Sequence, residues 1–208
     1  MQIKTLMVGV IAANCHIAWC EKTGEAVVID PGGDGEKINR FLDQQGLKVK
    51  YIVLTHGHGD HIAAVDEVRQ KTGAQVAIHP KDAPMLTDPQ KNLSGFLGGA
   101  VKLKPADLEV SDGEEIIFGT KKLKVLHTPG HTLGSISLYG EDVIFSGDTL
   151  FFGSVGRVDF PGGSWDKLLK SIRDKIFVLP DYTRVLPGHG PETTVGYEKK
   201  HNPFLQGE

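Results

Sequence analysis

The chain has 208 residues, 39% of them hydrophobic and 24% charged, with a formal net charge of −3. That length and composition suit one globular domain, here residues 1–208, that buries its own core without a disulfide or a structural metal. No basic cluster stands out, which argues against nucleic acid as a partner, and no apolar run approaches the roughly 20 residues that span a bilayer, so no membrane contact is expected.

Met1 to Val10 carries Lys4 in a short alternating run and lacks a long apolar segment, so it reads as a strand and not as a signal peptide. Cys15 and Cys20 lie too close together to staple much chain, and a cytoplasmic location is the expectation.

In chain order, Gln2 to Met7 and Asn14 to Cys20 read as paired strands, and Ala26 to Ile29 as a short apolar strand stopped by Asp30-Pro31-Gly32-Gly33. Ile38, Phe41 and Leu42 have helical spacing, with Gly46 as the stop. Tyr51 to Leu54 is a buried strand, Ile62 to Thr72 a helix, and Gln75 to Ile78 a further strand. The alternation predicts strands flanked by helices. Lys81 to Gly99, punctuated by Pro and Gly, reads as a short helix and a surface loop. Strands follow over Glu115 to Phe118, Leu123 to Leu126, Ser135 to Tyr139 and Val143 to Ser146. Trp165 to Phe177 carries one long helical pattern, Arg184 to Leu186 a last short strand, and Thr194 to His201 a closing helix.

Chemistry concentrates after the strands. Thr55-His56-Gly57-His58-Gly59-Asp60-His61 places four potential ligands in six residues just past an apolar strand. The interleaved glycines let the backbone turn tightly enough for the side chains to converge. Imidazole and carboxylate suit zinc, iron and manganese alike. Three later segments repeat the pattern of a ligand type beside glycine after an apolar strand. They are Leu126-His127-Thr128-Pro129-Gly130-His131-Thr132, Phe145-Ser146-Gly147-Asp148-Thr149 and Leu186-Pro187-Gly188-His189-Gly190. Strand ends from distant parts of a chain can meet at one edge of a sheet.

With these segments in order over nearly the whole chain, the sequence resembles the metallo-β-lactamase superfamily; Val28-Ile29-Asp30-Pro31-Gly32 matches its early Asp motif. Within it the chain looks most like the glyoxalase II group of the short bacterial type, on Gly156-Arg157-Val158-Asp159-Phe160-Pro161-Gly162 and His201-Asn202-Pro203-Phe204-Leu205. The resemblance implies an α+β fold, an αβ/βα four-layer sandwich of two packed mixed sheets with helices outside. It also implies that the C-terminal helical extension of full-length glyoxalase II is missing. It implies a cofactor of two divalent metal ions, zinc first, with iron or manganese as alternatives. His56, His58 and His131 would hold one ion, Asp60, His61 and His189 the other, and Asp148 would bridge both; Asp60 and Asp148 are the catalytic carboxylates. Asp30 would orient the His loop from behind. The implied reaction is hydrolysis of S-lactoylglutathione or a related 2-hydroxyacyl thioester by a metal-bridging hydroxide. The partner is then a small thioester, a glutathione conjugate, and the protein is expected to be a monomer or small homo-oligomer.

An iron-dependent persulfide dioxygenase, using one iron on His56, His131 and Asp148, is the alternative on the same fold. A β-lactamase is disfavoured by the bridging carboxylate, a nuclease by the missing basic surface, and a non-enzymatic binding module by the intact ligand set. Arg157 is a candidate substrate-binding residue, with an ion pair to Asp159 that fixes the loop as the competing role. His127, four residues before His131, is expected to make a structural hydrogen bond. His16 and His79 are expected in packing or surface positions, His201 at a helix end, and Cys15 as a small core residue.

Overall fold

The computed structural model describes residues 1–206, in which twelve strands pair into two six-stranded sheets. In the first, β1 (Gln2–Val8), β2 (Ala13–Trp19), β3 (Glu25–Ile29), β4 (Lys48–Val53), β5 (Gln75–Ile78) and β6 (Leu108–Glu109) lie side by side in chain order. The first three are antiparallel hairpin neighbours, and β3 to β6 run parallel. Parallel neighbours need crossovers. These are α1 (Gly35–Gln44) between β3 and β4, then α2 (Gly59–Ile62) and α3 (Val65–Thr72) between β4 and β5; α4 (Ala83–Thr87) follows β5.

The second sheet is built from β7 (Glu115–Phe118), β8 (Lys121–His127), β9 (Ile136–Gly140) and β10 (Val143–Gly147). A small hairpin of β11 (Leu150–Phe151) and β12 (Ser154–Val155) comes next, then α5 (Trp165–Ser171), β13 (Arg184–Pro187), β14 (Thr193–Thr194) and α6 (Val195–His201). The sheet order is β14-β13-β10-β9-β8-β7, antiparallel except for the parallel pair β10–β13 that α5 bridges.

Period-two patterning explains the layers. Along β3, Ala26 and Val28 face a core shared with Ile38, Leu42, Val65 and Val68 of the helices, while Val27 and Ile29 face the second sheet's Phe118, Val125 and Phe145. Along β10, Val143 and Phe145 point to that inter-sheet core and Ile144 to the outer one, against Leu168 and Ile172. A strand covered on both faces reads as a continuous apolar run, which Ala26-Val27-Val28-Ile29 is. The result is the expected helix–sheet–sheet–helix sandwich.

Three expectations change in detail. The helix over Ile62 to Thr72 is interrupted: the Ala64 N–H donates to the Pro31 carbonyl at 2.9 Å, so α2 and α3 are separate. The helix beginning at Trp165, capped by the Ser164 hydroxyl, widens into a π turn over Ile172–Ile176. Four two-residue strands, β6, β11, β12 and β14, are too short to leave a periodic signal. Among the described residues, no helix is long and apolar enough to cross a membrane.

Candidate metal centre

Asp30 follows β3, the His loop follows β4, His131 lies beyond β8, Asp148 follows β10 and His189 follows β13. Because β3 and β4 are parallel, as are β10 and β13, these ends open on a common edge of the sandwich. The packing there leaves no room for a side chain at Gly188, where a Cβ would lie 2.2 Å from Asp148 Oδ1. At Gly32 it would lie 1.6 Å from the Asp60 carbonyl oxygen.

Three overlapping ligand groups result, one of them Asp30 with His56 and His61. The ligand atoms of His56, His58 and His131 lie within 4.8 Å of one another, and so do those of Asp60, His61 and His189. His58 Nδ1 faces His131 Nε2 at 2.9 Å, and His61 Nε2 faces His189 Nε2 at 3.2 Å. Asp148 stands between the groups. Its Oδ1 is 3.4 Å from His61 Nε2, and its Oδ2 is 3.6 Å from His131 Nε2 and 3.8 Å from His189 Nε2. All seven residues singled out as ligands in the sequence are thus brought together.

The surrounding hydrogen bonds aim the rings. Asp30 accepts from the Thr55 N–H at 2.7 Å and the Thr55 hydroxyl at 2.6 Å, and its Oδ2 is 3.0 Å from His61 Nδ1. Since the Thr55 hydroxyl proton goes to Asp30, its oxygen is left to accept from His56 Nδ1 at 3.1 Å. His131 Nδ1 donates to the Arg157 carbonyl at 2.7 Å. In each of these three histidines the other nitrogen, Nε2, is turned inward.

Charge and burial complete the picture. Burial and the neighbouring histidines hold His56 well below the usual imidazole range, and burial followed by His131 holds His58 down to about 3. Both therefore present neutral lone pairs. Burial opposes a charge on His61, yet Asp148, Asp60 and Asp30 raise it above the usual range, and Asp60 is lowered by His61 and His189 despite its own burial. His56 Nε2 and Asp148 Oδ1 are buried acceptors without a hydrogen-bond partner. A buried polar atom left so is costly. The neutral nitrogens of His56 and His58 and the carboxylates of Asp60 and Asp148, with His56 Nε2 and Asp148 Oδ1 among them left unpartnered, converge on one volume as a donor set that fits divalent cations.

Asp82 is a contributor that the sequence reading missed. It is 1% exposed, and it accepts from the Gly57 N–H of the His loop, and from the Thr132 hydroxyl and Gly134 N–H of the His131 loop. It therefore ties the two loops of the first group together. A lone Asp before a short helix carries no signal of that. Glu198 is similar: fully buried, it accepts from the Gly153 N–H, Thr193 and Asn202, and so seats α6 on the β11–β12 hairpin.

The other candidates take quieter places. Arg157 lines the cavity over the centre, but its Nε and Nη2 donate to Asp159 at 2.7 and 2.6 Å and its guanidinium lies 4.0 Å from the Phe160 ring centroid. His127 bonds the Leu133 carbonyl at 3.0 Å and stacks on His79. His16 is buried in β2, His201 ends α6, and Cys15 is a buried free thiol pushed up by desolvation. The cavity itself holds about 380 Å³, walled by Ile11, Leu93, Phe96, Phe151 and Phe160.

Residues 8–189 match the model of the metallo-beta-lactamase superfamily. A Bacillus subtilis (strain 168) protein named "Probable metallo-hydrolase YqgX" is 43% identical, covering 100% of this chain and 99% of its own. Hydroxyacylglutathione hydrolase GloC of Haemophilus influenzae is 34% identical over 99% of this chain and 98% of its own. Among solved structures, BLEG-1, described as a B3 metallo-beta-lactamase, is 44% identical with a TM-score of 0.95, covering 99% of this chain and 100% of its own. TTHA1623 in a di-iron-bound form is 36% identical with a TM-score of 0.87, covering 97% and 100%.

Proposed function

The chain belongs to the metallo-β-lactamase superfamily, and on that premise we propose that it is a glyoxalase II-like hydrolase of thioesters, S-lactoylglutathione or a related 2-hydroxyacyl thioester. The observation that carries the reading is the convergence of two ligand groups around Asp148, with His56 Nε2 and Asp148 Oδ1 buried and unpartnered. The GloC relative supports the thioester class, and the di-iron form of TTHA1623 supports a two-metal centre. His56, His58 and His131 would hold one ion, Asp60, His61 and His189 the other, and Asp148 would reach both. Zinc, iron and manganese all suit this set.

Bound there, the ions would supply Lewis acidity toward the carbonyl oxygen and lower the pKa of a water from about 15.7 toward about 7. The chain's own part is to present His56 and His58 unprotonated, to hold the rings through Asp30, Thr55 and the Arg157 carbonyl, and to wall the substrate with Phe151 and Phe160. In the reaction the water oxygen joins the acyl carbon, the carbon–sulfur bond breaks, and acid and thiol leave. A thiolate departs without a strong acid beside it. That agrees with the cavity, where every titratable lining group except Arg157 belongs to the ligand set.

Elemental analysis of anaerobically purified protein, with thioester turnover on the same sample, tests this. Two metals per chain and turnover of S-lactoylglutathione or its analogues are expected. One iron per chain with oxygen uptake on glutathione persulfide would replace the reading with the dioxygenase. The likeness to BLEG-1 favours a second reading, β-lactam hydrolysis. A chromogenic cephalosporin cleaved faster than every thioester would put that substrate first.

A further inference from the structure

We infer that the substrate is gripped by an uncharged, apolar arm lying in a second cavity beyond Ile11, and not by an anionic carrier. The inference rests on the thioester-hydrolase reading above and replaces its glutathione carrier with a neutral one.

The second cavity, of about 370 Å³, shares Ile11 and Asp60 with the first, so it continues directly from the candidate metal centre. Val8 at the end of β1 and Val10 of the turn after it form one wall, Ala100 and Val101 the other, and Ala63 also lines it. Val10 and Ile11 in its lining are 80% and 50% exposed, and Phe96 in the lining of the adjoining first cavity is 83% exposed. Such a contiguous apolar rim on a protein surface marks a place where something apolar binds.

The wall is built, not incidental. Asn92 is fully buried; its amide donates to the Met85 and Val101 carbonyls at 2.9 and 2.8 Å, and its side-chain oxygen accepts from the Ser94 N–H. The Gly59 N–H of the His loop donates to the Asn92 carbonyl at 2.7 Å. The next residue, Leu93, is held at a φ of 60°, a left-handed conformation that costs energy for a branched side chain. The segment that forms the far wall is therefore fastened to the candidate metal loop itself.

Charge argues the same way. A glutathione conjugate brings two carboxylates, which call for basic partners. Among the described residues, Arg157 is the one lysine or arginine lining either cavity, and its fork is already engaged by Asp159.

The test uses metal-loaded protein and two series of acyl thioesters, acetyl to octanoyl, one on glutathione and one on the neutral thiol N-acetylcysteamine. Binding of non-hydrolysable S-alkyl thioethers is measured alongside by calorimetry. Both kcat/KM and affinity should climb about 3- to 4-fold per methylene over the first few carbons. The neutral thiol should serve at least as well as glutathione. Ile11→Glu, on an exposed turn, should cut octyl thioether affinity tenfold or more while metal content and melting temperature hold. A response flat in chain length, or a tenfold preference for glutathione, would overturn the inference and leave the hydrolase reading intact. Thioether affinity that climbs with length while no thioester is cleaved would keep the apolar subsite and remove the hydrolase reading.

Discussion

His56, His58 and His131 are all buried, whereas in the neighbouring group His61 is buried but Asp60 and His189 are partly open to the cavity. The first group is all imidazole, and burial and crowding keep His56 and His58 neutral. The second mixes imidazole with carboxylate and is braced from behind by Asp30. Its partners also come from further apart in the chain, since His61 and His189 are 128 positions apart and His58 and His131 only 73. The contrast teaches that two ligand groups with similar roles can be preorganised by different means. One relies on packed, buried rings and the Asp82 tie, the other on a charge network.

Asp148 is the element that both groups share, so its loss is expected to have the largest effect. Asp148→Ala should lower thioester turnover about a thousandfold or more, read from kcat/KM on metal-loaded protein. Near-full turnover would show that the groups act independently.

Acid should also weaken the second side, through His16. Its ring accepts from the Thr5 hydroxyl at 2.9 Å and donates to the Pro187 carbonyl at 3.0 Å, two residues before His189. Burial lowers its pKa from 6.5 to about 4. The unfolded chain takes up this proton near pH 6.5 and the folded one only near 4. The stability that neutral His16 contributes is thus complete above pH 6.5 and is lost as the pH falls toward 4, about 3 kcal/mol in all. Urea unfolding of metal-free wild type and His16→Gln at pH 7 and pH 4 should show the gap between them shrinking by that order; a constant gap would refute the assignment.

The smallest of the three effects separates the groups directly. Asp30→Ala should weaken one metal equivalent about 10- to 100-fold by freeing His61, and Asp82→Ala should weaken the other to a similar degree by loosening the loops of His58 and His131. Calorimetric metal titration of the two variants should show different equivalents affected. If both variants lose the same equivalent, the division into two differently braced groups fails.

Much of this was legible in the sequence, for identifiable reasons. The His56–His61 loop and the three later glycine-flanked ligands are local patterns, each following an apolar strand, and order along the chain survives folding. Strands such as Val27 to Ile29 announce themselves because covering both faces demands an unbroken apolar run. Asp82, Thr55 and Glu198 stayed hidden, because one Asp, Thr or Glu looks the same whether it meets water or three buried donors. The break at Ala64 was hidden too, since it depends on the Pro31 carbonyl from another segment.

The sequence by itself determined the set of ligand-type residues, their glycine neighbours and the strands that carry them, because these follow from side-chain chemistry and local backbone freedom. Only the tertiary structure decided that Asp82 ties the loops of His58 and His131 together, that Arg157 turns to Asp159 while its carbonyl holds His131, and that an apolar cavity opens beyond Ile11. Those outcomes depend on distances between segments far apart in the chain, and such distances are set by how the two sheets pack.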